Sequence, residues 1–208
     1  MNKVKKFFEK FDYNSPVILT YALFCVVLLL INDLTNGWLN STLLISRAHP
    51  NLLDPLTYVR SIMHIFGHAD WNHLFSNMIL MVLVGPIVEE RYGSWNLCVM
   101  IFSNAIITAL INGIFSDYGV IGASGVIFMM IILSAFTNMR RGKIPVTLCI
   151  VAAMYIGREL YSGIINPNDG VSRLGHIIGG VTGLVWGIIF YNKKFKMSGV
   201  SVEYSTKR

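Results

Sequence analysis

Gly122-Ala123-Ser124-Gly125 opens one apolar segment of this chain, and Gly175-His176-Ile177-Ile178-Gly179 opens another. A serine and an imidazole inside helices of hydrocarbon length are costly, so a protein that keeps both usually uses them. If the two helices lie side by side, the pair is a serine nucleophile next to its general base, set just below a membrane surface.

The composition supports the membrane setting. Of 208 residues, 54% are apolar and only 13% are charged, against about 25% charged in an ordinary soluble domain. The mean hydropathy is clearly positive. Six apolar segments approach the ~20 residues that a bilayer requires, near 16–32, 72–91, 95–114, 121–139, 144–160 and 172–191. The fifth is the weakest, because Arg158 and Glu159 lie near its end. Val17 to Ile31 ends without a small-residue cleavage site and reads as a retained helix rather than a signal peptide. Cys25, Cys98 and Cys149 all fall inside apolar runs, where packing is their expected role.

The formal charge of +6 raises the possibility of nucleic acid. However, the basic residues sit in short flanking clusters with no stripe and no aromatic interleaving, so nucleic acid is not an expected partner. Their distribution orients the chain instead. With the N-terminus inside, Lys3, Lys5, Lys6, Lys10, Arg91, Arg140, Arg141, Lys143, Lys193, Lys194, Lys196, Lys207 and Arg208 are cytoplasmic. Of the 17 cations only Arg47, Arg60, Arg158 and Arg173 are then outside, a strong positive-inside bias. The expected organisation is a cytoplasmic tail (1–15), one six-helix domain (16–192) and a second cytoplasmic tail (193–208). The connection from Asp33 to Trp71 is too long and too apolar for plain coil. It is expected to pack partly into the outer membrane face, with a helix around Leu56–Phe66.

In this topology the second, fourth and sixth spans run from outside to inside. Ser124 falls about three residues into the fourth, His176 about four into the sixth, and His73 and Asn77 in the first turns of the second. At 1.5 Å per residue all four lie within roughly the outer 10 Å of hydrocarbon. A serine hydroxyl needs a base to become nucleophilic, and histidine is the usual one near neutral pH. Acyl transfer also needs donors for an oxyanion, which Asn77, His73 and the Ser124 backbone amide could supply. Gly122 and Gly125 clear side chains from the path of a substrate backbone. Gly175, Gly179, Gly183 and Gly187 recur every four residues on nearly one helix face, which lets a neighbouring backbone approach closely. That neighbour is expected to be the helix carrying Ser124.

Each residue alone has a plainer role: Ser124 bonding back to a carbonyl, His176 bonding between helices, His73 and Asn77 anchoring the second span. His64 and His68, at i and i+4 with His73 or Asp70 nearby, have a spacing that could bind zinc. No Glu follows the first histidine as in a zinc-protease helix, so a structural role within the outer loop is expected and no metal. Glu89 and Arg91 are expected to tie helix ends near the inner surface, and Arg60 to lock the outer loop to its own carbonyls.

The ordered set resembles the rhomboid family of intramembrane serine proteases. It comprises Gly122-Ala123-Ser124-Gly125, Gly175-His176-x-x-Gly179-x3-Gly183, His73-x3-Asn77, Glu89-x-Arg91, and Arg60, His64 and His68 before the second span. The resemblance covers about Val17 to Tyr191. It implies an all-α bundle of six transmembrane helices with a long, partly helical outer loop between the first two. It implies Ser124 as nucleophile and His176 as base, with His73, Asn77 and the Ser124 amide at the oxyanion. No cofactor is implied; the partners would be the bilayer and single-pass membrane proteins cut in or near their transmembrane segment. One departure is Phe128, where family members often carry a tyrosine packed on the histidine. Stacking would survive and the phenol hydrogen bond would be lost. Two other readings stand beside the protease. One is a catalytically silent rhomboid-like protein that binds membrane clients, although this chain keeps Ser124 and His176. The other is a small transporter or metal carrier using His64, His68 and His73, which would need polar groups near midplane, where few occur beyond Ser103, Asn104 and Thr108 on the third span. The basic inner flanks suit a bacterial inner membrane.

Overall fold

A computed structural model describes residues 12–137, 143, 145–165 and 173–205. Seven α-helices occur among them: α1 (Pro16–Leu34), α2 (Pro55–Met63), α3 (Trp71–Tyr92), α4 (Ser94–Phe115), α5 (Ser124–Phe136), α6 (Val146–Ile165) and α7 (Arg173–Ser205). A π-helical turn at Asn40–Leu44 and an isolated antiparallel bridge between Ser46 and Val120 complete the regular structure. No β-strand occurs among the described residues. Four helical stretches are long and apolar enough to cross a membrane: Pro16–Leu34, Trp71–Tyr92, Ser94–Phe115 and Arg173–Tyr191. Large apolar side chains such as Leu23, Ile79, Leu83, Phe115 and Met154 are exposed on their outer surfaces. Water would not tolerate so wide an apolar belt, and hydrocarbon does. The chain is a multi-pass membrane protein.

Several expectations meet the structure at particular residues. The segment read as a span over 121–139 is helical only from Ser124 to Phe136, because the backbone bends at 121–123 and Gly122 sits at φ +126°, which an L side chain strains to adopt. Ser124 is therefore the first residue of α5 rather than the fourth. Cys149 is exposed, whereas Cys25 is buried and Cys98 half-buried, so packing does not account for Cys149. Helical backbone continues beyond Tyr191 to Ser205. Residues 1–11, Arg140, Arg141, Lys207 and Arg208 lie outside the described residues, as do the side chains of Arg158, Glu159, Lys193, Lys194 and Lys196.

Glu89 ties three helix ends together. Its carboxylate accepts from the Val17 and Ile18 amides at 3.0 and 3.1 Å and from Ser94 Oγ at 2.7 Å. The first amides of any helix lack intrahelical partners and carry positive partial charge. Ser15 makes no side-chain cap to α1, so Glu89 supplies one across 72 residues of chain. On α2, Arg60 donates to the Thr42 carbonyl at 2.8 Å and to Asp54 at 2.9 Å. Asp54 also caps α2 through the Leu56 amide, and that hydrogen bond, then Arg60, holds its carboxyl below the ordinary range.

The closest packing is of α5 on α7. A Cβ on Gly179 would overlap the Gly125 carbonyl oxygen; one on Gly183 would lie 2.7 Å from the Met129 carbonyl oxygen, and one on Gly187 2.6 Å from the Phe136 ring. The four-residue glycine repeat thus faces the helix that begins at Ser124. Backbone-to-backbone contact maximises dispersion where lipid removes any hydrophobic drive between helices. Gly179→Ala should therefore cost about 1–3 kcal/mol by overpacking. Gly157→Ala, whose added Cβ would meet nothing within 4 Å, should be neutral or stabilising by up to about 1 kcal/mol. Thermal unfolding of both variants in bicelles checks the contrast; equal melting points would contradict it.

Candidate active site

Ser124 is half-buried at the start of α5, and His176 is 8% exposed in the first turn of α7. Their helices meet at this level. A Cβ on Gly125 would lie 3.1 Å from the Gly175 carbonyl oxygen, so the residues next to Ser124 and His176 are in backbone contact. One turn into α5, the Phe128 ring packs on the imidazole of His176 with centroids 4.6 Å apart. That contact limits how the imidazole can turn.

Gly122 gathers the other candidates. A Cβ there would lie 2.8 Å from Cε1 and 3.0 Å from Nε2 of His73, and 4.0 Å from Asn77 Nδ2. The close approach and the positive φ both exclude a side chain at 122. Asp70 caps α3 by accepting from the His73 amide at 2.8 Å. The Ala69 amide reaches His73 Nδ1 at 3.5 Å, an arrangement that favours the tautomer with its proton on Nε2. Asn77 is 6% exposed, and its Nδ2 has no hydrogen-bond partner among the described residues. The first amides of α5 have no side-chain cap and, by helix geometry, no intrahelical acceptor. Three kinds of N–H donor thus surround the bend that presents Ser124.

The stretch between α1 and α3 holds that bend. The Gly122 amide donates to the His64 carbonyl at 2.9 Å, and Ser46 and Val120 exchange backbone bonds at 3.0 and 2.8 Å. The imidazoles of His64 and His68 are paired through Nδ1 with the carbonyls of Arg60 and Phe66, each at 3.2 Å. Nε2 of each is buried without a hydrogen-bond partner among the described residues. The rings of His68 and His73 meet edge to face at 5.1 Å. No group of three His, Cys, Asp or Glu residues able to hold a metal occurs among the described residues.

A small cavity of about 10 Å³ lies behind the bend, lined by His64, Ile65, Asn104, Thr108, Val120, Gly122, Ser124, Gly125 and Gly175. One water needs roughly this volume and two to four polar partners. Here His64 Nε2, Asn104 Oδ1 and Thr108 Oγ1 are buried and unpartnered among the described residues. Sequence reasoning set Asn104 and Thr108 aside as mid-span polar groups. The signal that could have found them is their spacing: Asn104, Thr108 and Asn112 at i, i+4 and i+8 form one polar stripe on a helix otherwise fit for lipid.

An all-helical membrane protein with a glycine-packed serine and histidine beneath its surface is a defined class. A family model described as "Rhomboid domain" matches residues 55–193, and the chain belongs to the rhomboid family. It is 27% identical over 148 residues to Rhomboid-related protein 1 of Caenorhabditis elegans, covering 64% of this chain and 40% of that protein. It is 30% identical over 76 residues to Rhomboid-like protein 11, chloroplastic, of Arabidopsis thaliana, covering 36% and 27%. It is 26% identical over 135 residues to Rhomboid protease GlpG of Haemophilus influenzae, covering 62% and 68%. The chain thus aligns with less than half the length of the first two.

Burial holds the imidazoles of His64 and His68 neutral, lowering each from the ordinary 6.5 to about 4, with repulsion from His73 adding to the effect at His68. Between about pH 6.5 and 4 the unfolded chain binds more protons at these groups than the folded one, so stability falls as pH falls. The melting point should drop across that window, and His64→Gln should flatten the drop. A parent melting point independent of pH over that range would contradict this account of both rings.

Proposed function

We propose that this chain is an intramembrane serine endopeptidase that cuts single-pass membrane proteins in or near their transmembrane segment. The observation that carries the reading is the backbone contact of Gly125 with Gly175 and Gly179. It puts Ser124 and His176 at one level on touching helices, with Phe128 against the imidazole. His176 takes the Ser124 proton as Oγ attacks the substrate carbonyl. The tetrahedral oxyanion is met by the Ser124 amide at the positive end of α5, by Asn77 Nδ2 and by His73 Nε2–H. His176 then protonates the leaving amine. Water from the cavity behind the bend hydrolyses the acyl-enzyme, with His176 again as base. No step calls on a cofactor or metal.

The same reading makes the protein a six-span bundle, with the weakly apolar α6 and the short α5 as the two further crossings. The stretch between α1 and α3 is its outer loop, set in the outer leaflet. Both termini are cytoplasmic and the membrane is a bacterial inner membrane, on the strength of the basic inner flanks.

In liposomes holding a model single-pass substrate, the parent should cleave, and Ser124→Ala and His176→Ala should each lower kcat by at least about 10⁴-fold, as loss of a nucleophile or its base does elsewhere. Cleavage that persists in either variant refutes the pair. A parent that binds the substrate without cutting it points to a silent, client-binding rhomboid-like protein.

A further inference from the structure

One buried polar contact lies beyond the groups assigned above. Asn104 on α4 is fully buried, and its Nδ2 donates to Thr182 Oγ1 on α7 at 2.7 Å. Thr182 Oγ1 in turn donates to the Gly179 carbonyl at 2.9 Å. A hydroxyl has one proton. With that proton on the carbonyl, Thr182 can only accept from Asn104, which fixes the amide's orientation. Its nitrogen faces α7, so Oδ1 faces the cavity beside Ser124, 3.5 Å from where a Cβ on Gly125 would stand. That oxygen has no hydrogen-bond partner among the described residues. A buried acceptor held in this way costs free energy and calls for a reason.

We propose that Thr182 is a positioning residue for the hydrolytic half of the reaction: its hydroxyl holds Asn104 Oδ1 toward the cavity as acceptor for the water that attacks the acyl-enzyme. The inference rests on the protease reading. One O–H of the water passes its proton to His176 as the water oxygen bonds to the acyl carbon. The other O–H is held by Asn104 Oδ1, which aims the oxygen. The bond from the acyl carbon to Ser124 Oγ then breaks, and His176 returns the proton to Oγ. Without the Thr182 hydroxyl the amide is free to turn and present N–H to the cavity, the wrong polarity for that water proton.

Thr182 also lies on the helix that carries His176, so a purely supporting role must be distinguished. A second tie helps: Trp186 Nε1 donates to Ser103 Oγ at 3.0 Å and keeps α4 and α7 joined when Thr182 is changed. The test uses the full chain in bicelles and an isocoumarin that acylates serine. The rate of labelling reports acylation, and recovery of free enzyme after excess reagent is removed reports hydrolysis. In Thr182→Val, recovery should slow by about tenfold, the scale of one lost, well-placed hydrogen bond, while labelling stays within about twofold of the parent. Thr182→Ser, which keeps the hydroxyl, should restore recovery. Asn104→Ala should slow recovery similarly, and the double variant should be no worse than either single one. If Thr182→Val does not fold, Thr182→Ala carries the same expectation. Labelling and recovery falling together, or neither changing, overturns the positioning role. A parent that isocoumarin does not label at Ser124 overturns the protease reading itself.

Discussion

The close approach of two backbones, at Gly125 on α5 and Gly179 on α7, is the constraint on which the rest depends. Any Cβ on Gly179 would overlap the Gly125 carbonyl oxygen. Lipid tails are as apolar as leucine side chains, so burying apolar surface between helices gains little in a bilayer. Dispersion at short range must hold these helices together instead. The shorter the separation, the narrower the range of side chains that can face each other across it. At one end of this contact, Ser124 and His176 stand on either side.

A second constraint shapes the entrance. Gly122 combines a positive φ with the His73 ring pressed against its α-carbon. The helix starts immediately after the bend, so its first amides have no acceptor in a preceding turn and no side-chain cap. The stretch between α1 and α3 reinforces the bend through the His64 carbonyl and the Ser46–Val120 bridge. Polar atoms without a partner among the described residues, on Asn77, His64, Asn104 and Thr108, are costly in low dielectric. Their concentration around one serine is the feature on which the proposed protease reading draws.

Much of this was legible in the residues, for identifiable reasons. The four-residue glycine period marked the close-packed face of α7, because a period of four on a helix defines a face whatever the tertiary context, and His176 beside that face pointed to the Ser124 helix as its neighbour. The place of Ser124 along its helix was misjudged by three residues. An apolar run reads as continuous helix, and only coordinates reveal that Gly122 leaves the helical region. The role of Glu89 in tying helix ends was anticipated, but not its cap on α1, since a contact across 72 residues leaves no local trace. Thr182 was invisible. A threonine inside an apolar helix normally bonds back to a carbonyl one turn earlier, as it does here to Gly179, and the second partner on α4 follows only from packing.

The central claim is that the hydroxyl of Ser124 and the imidazole of His176 lie within hydrogen-bonding reach. Solid-state NMR on the full chain in lipid bilayers, with carbon-13 at Ser124 Cβ and nitrogen-15 in the His176 ring, measures that separation directly through dipolar dephasing. The account predicts a distance of roughly 3.5–4 Å from Ser124 Cβ to the nearer ring nitrogen, the span of one C–O bond and one hydrogen bond meeting at a bent angle. Absence of dephasing at about 8 Å or more would place the two groups apart and contradict it.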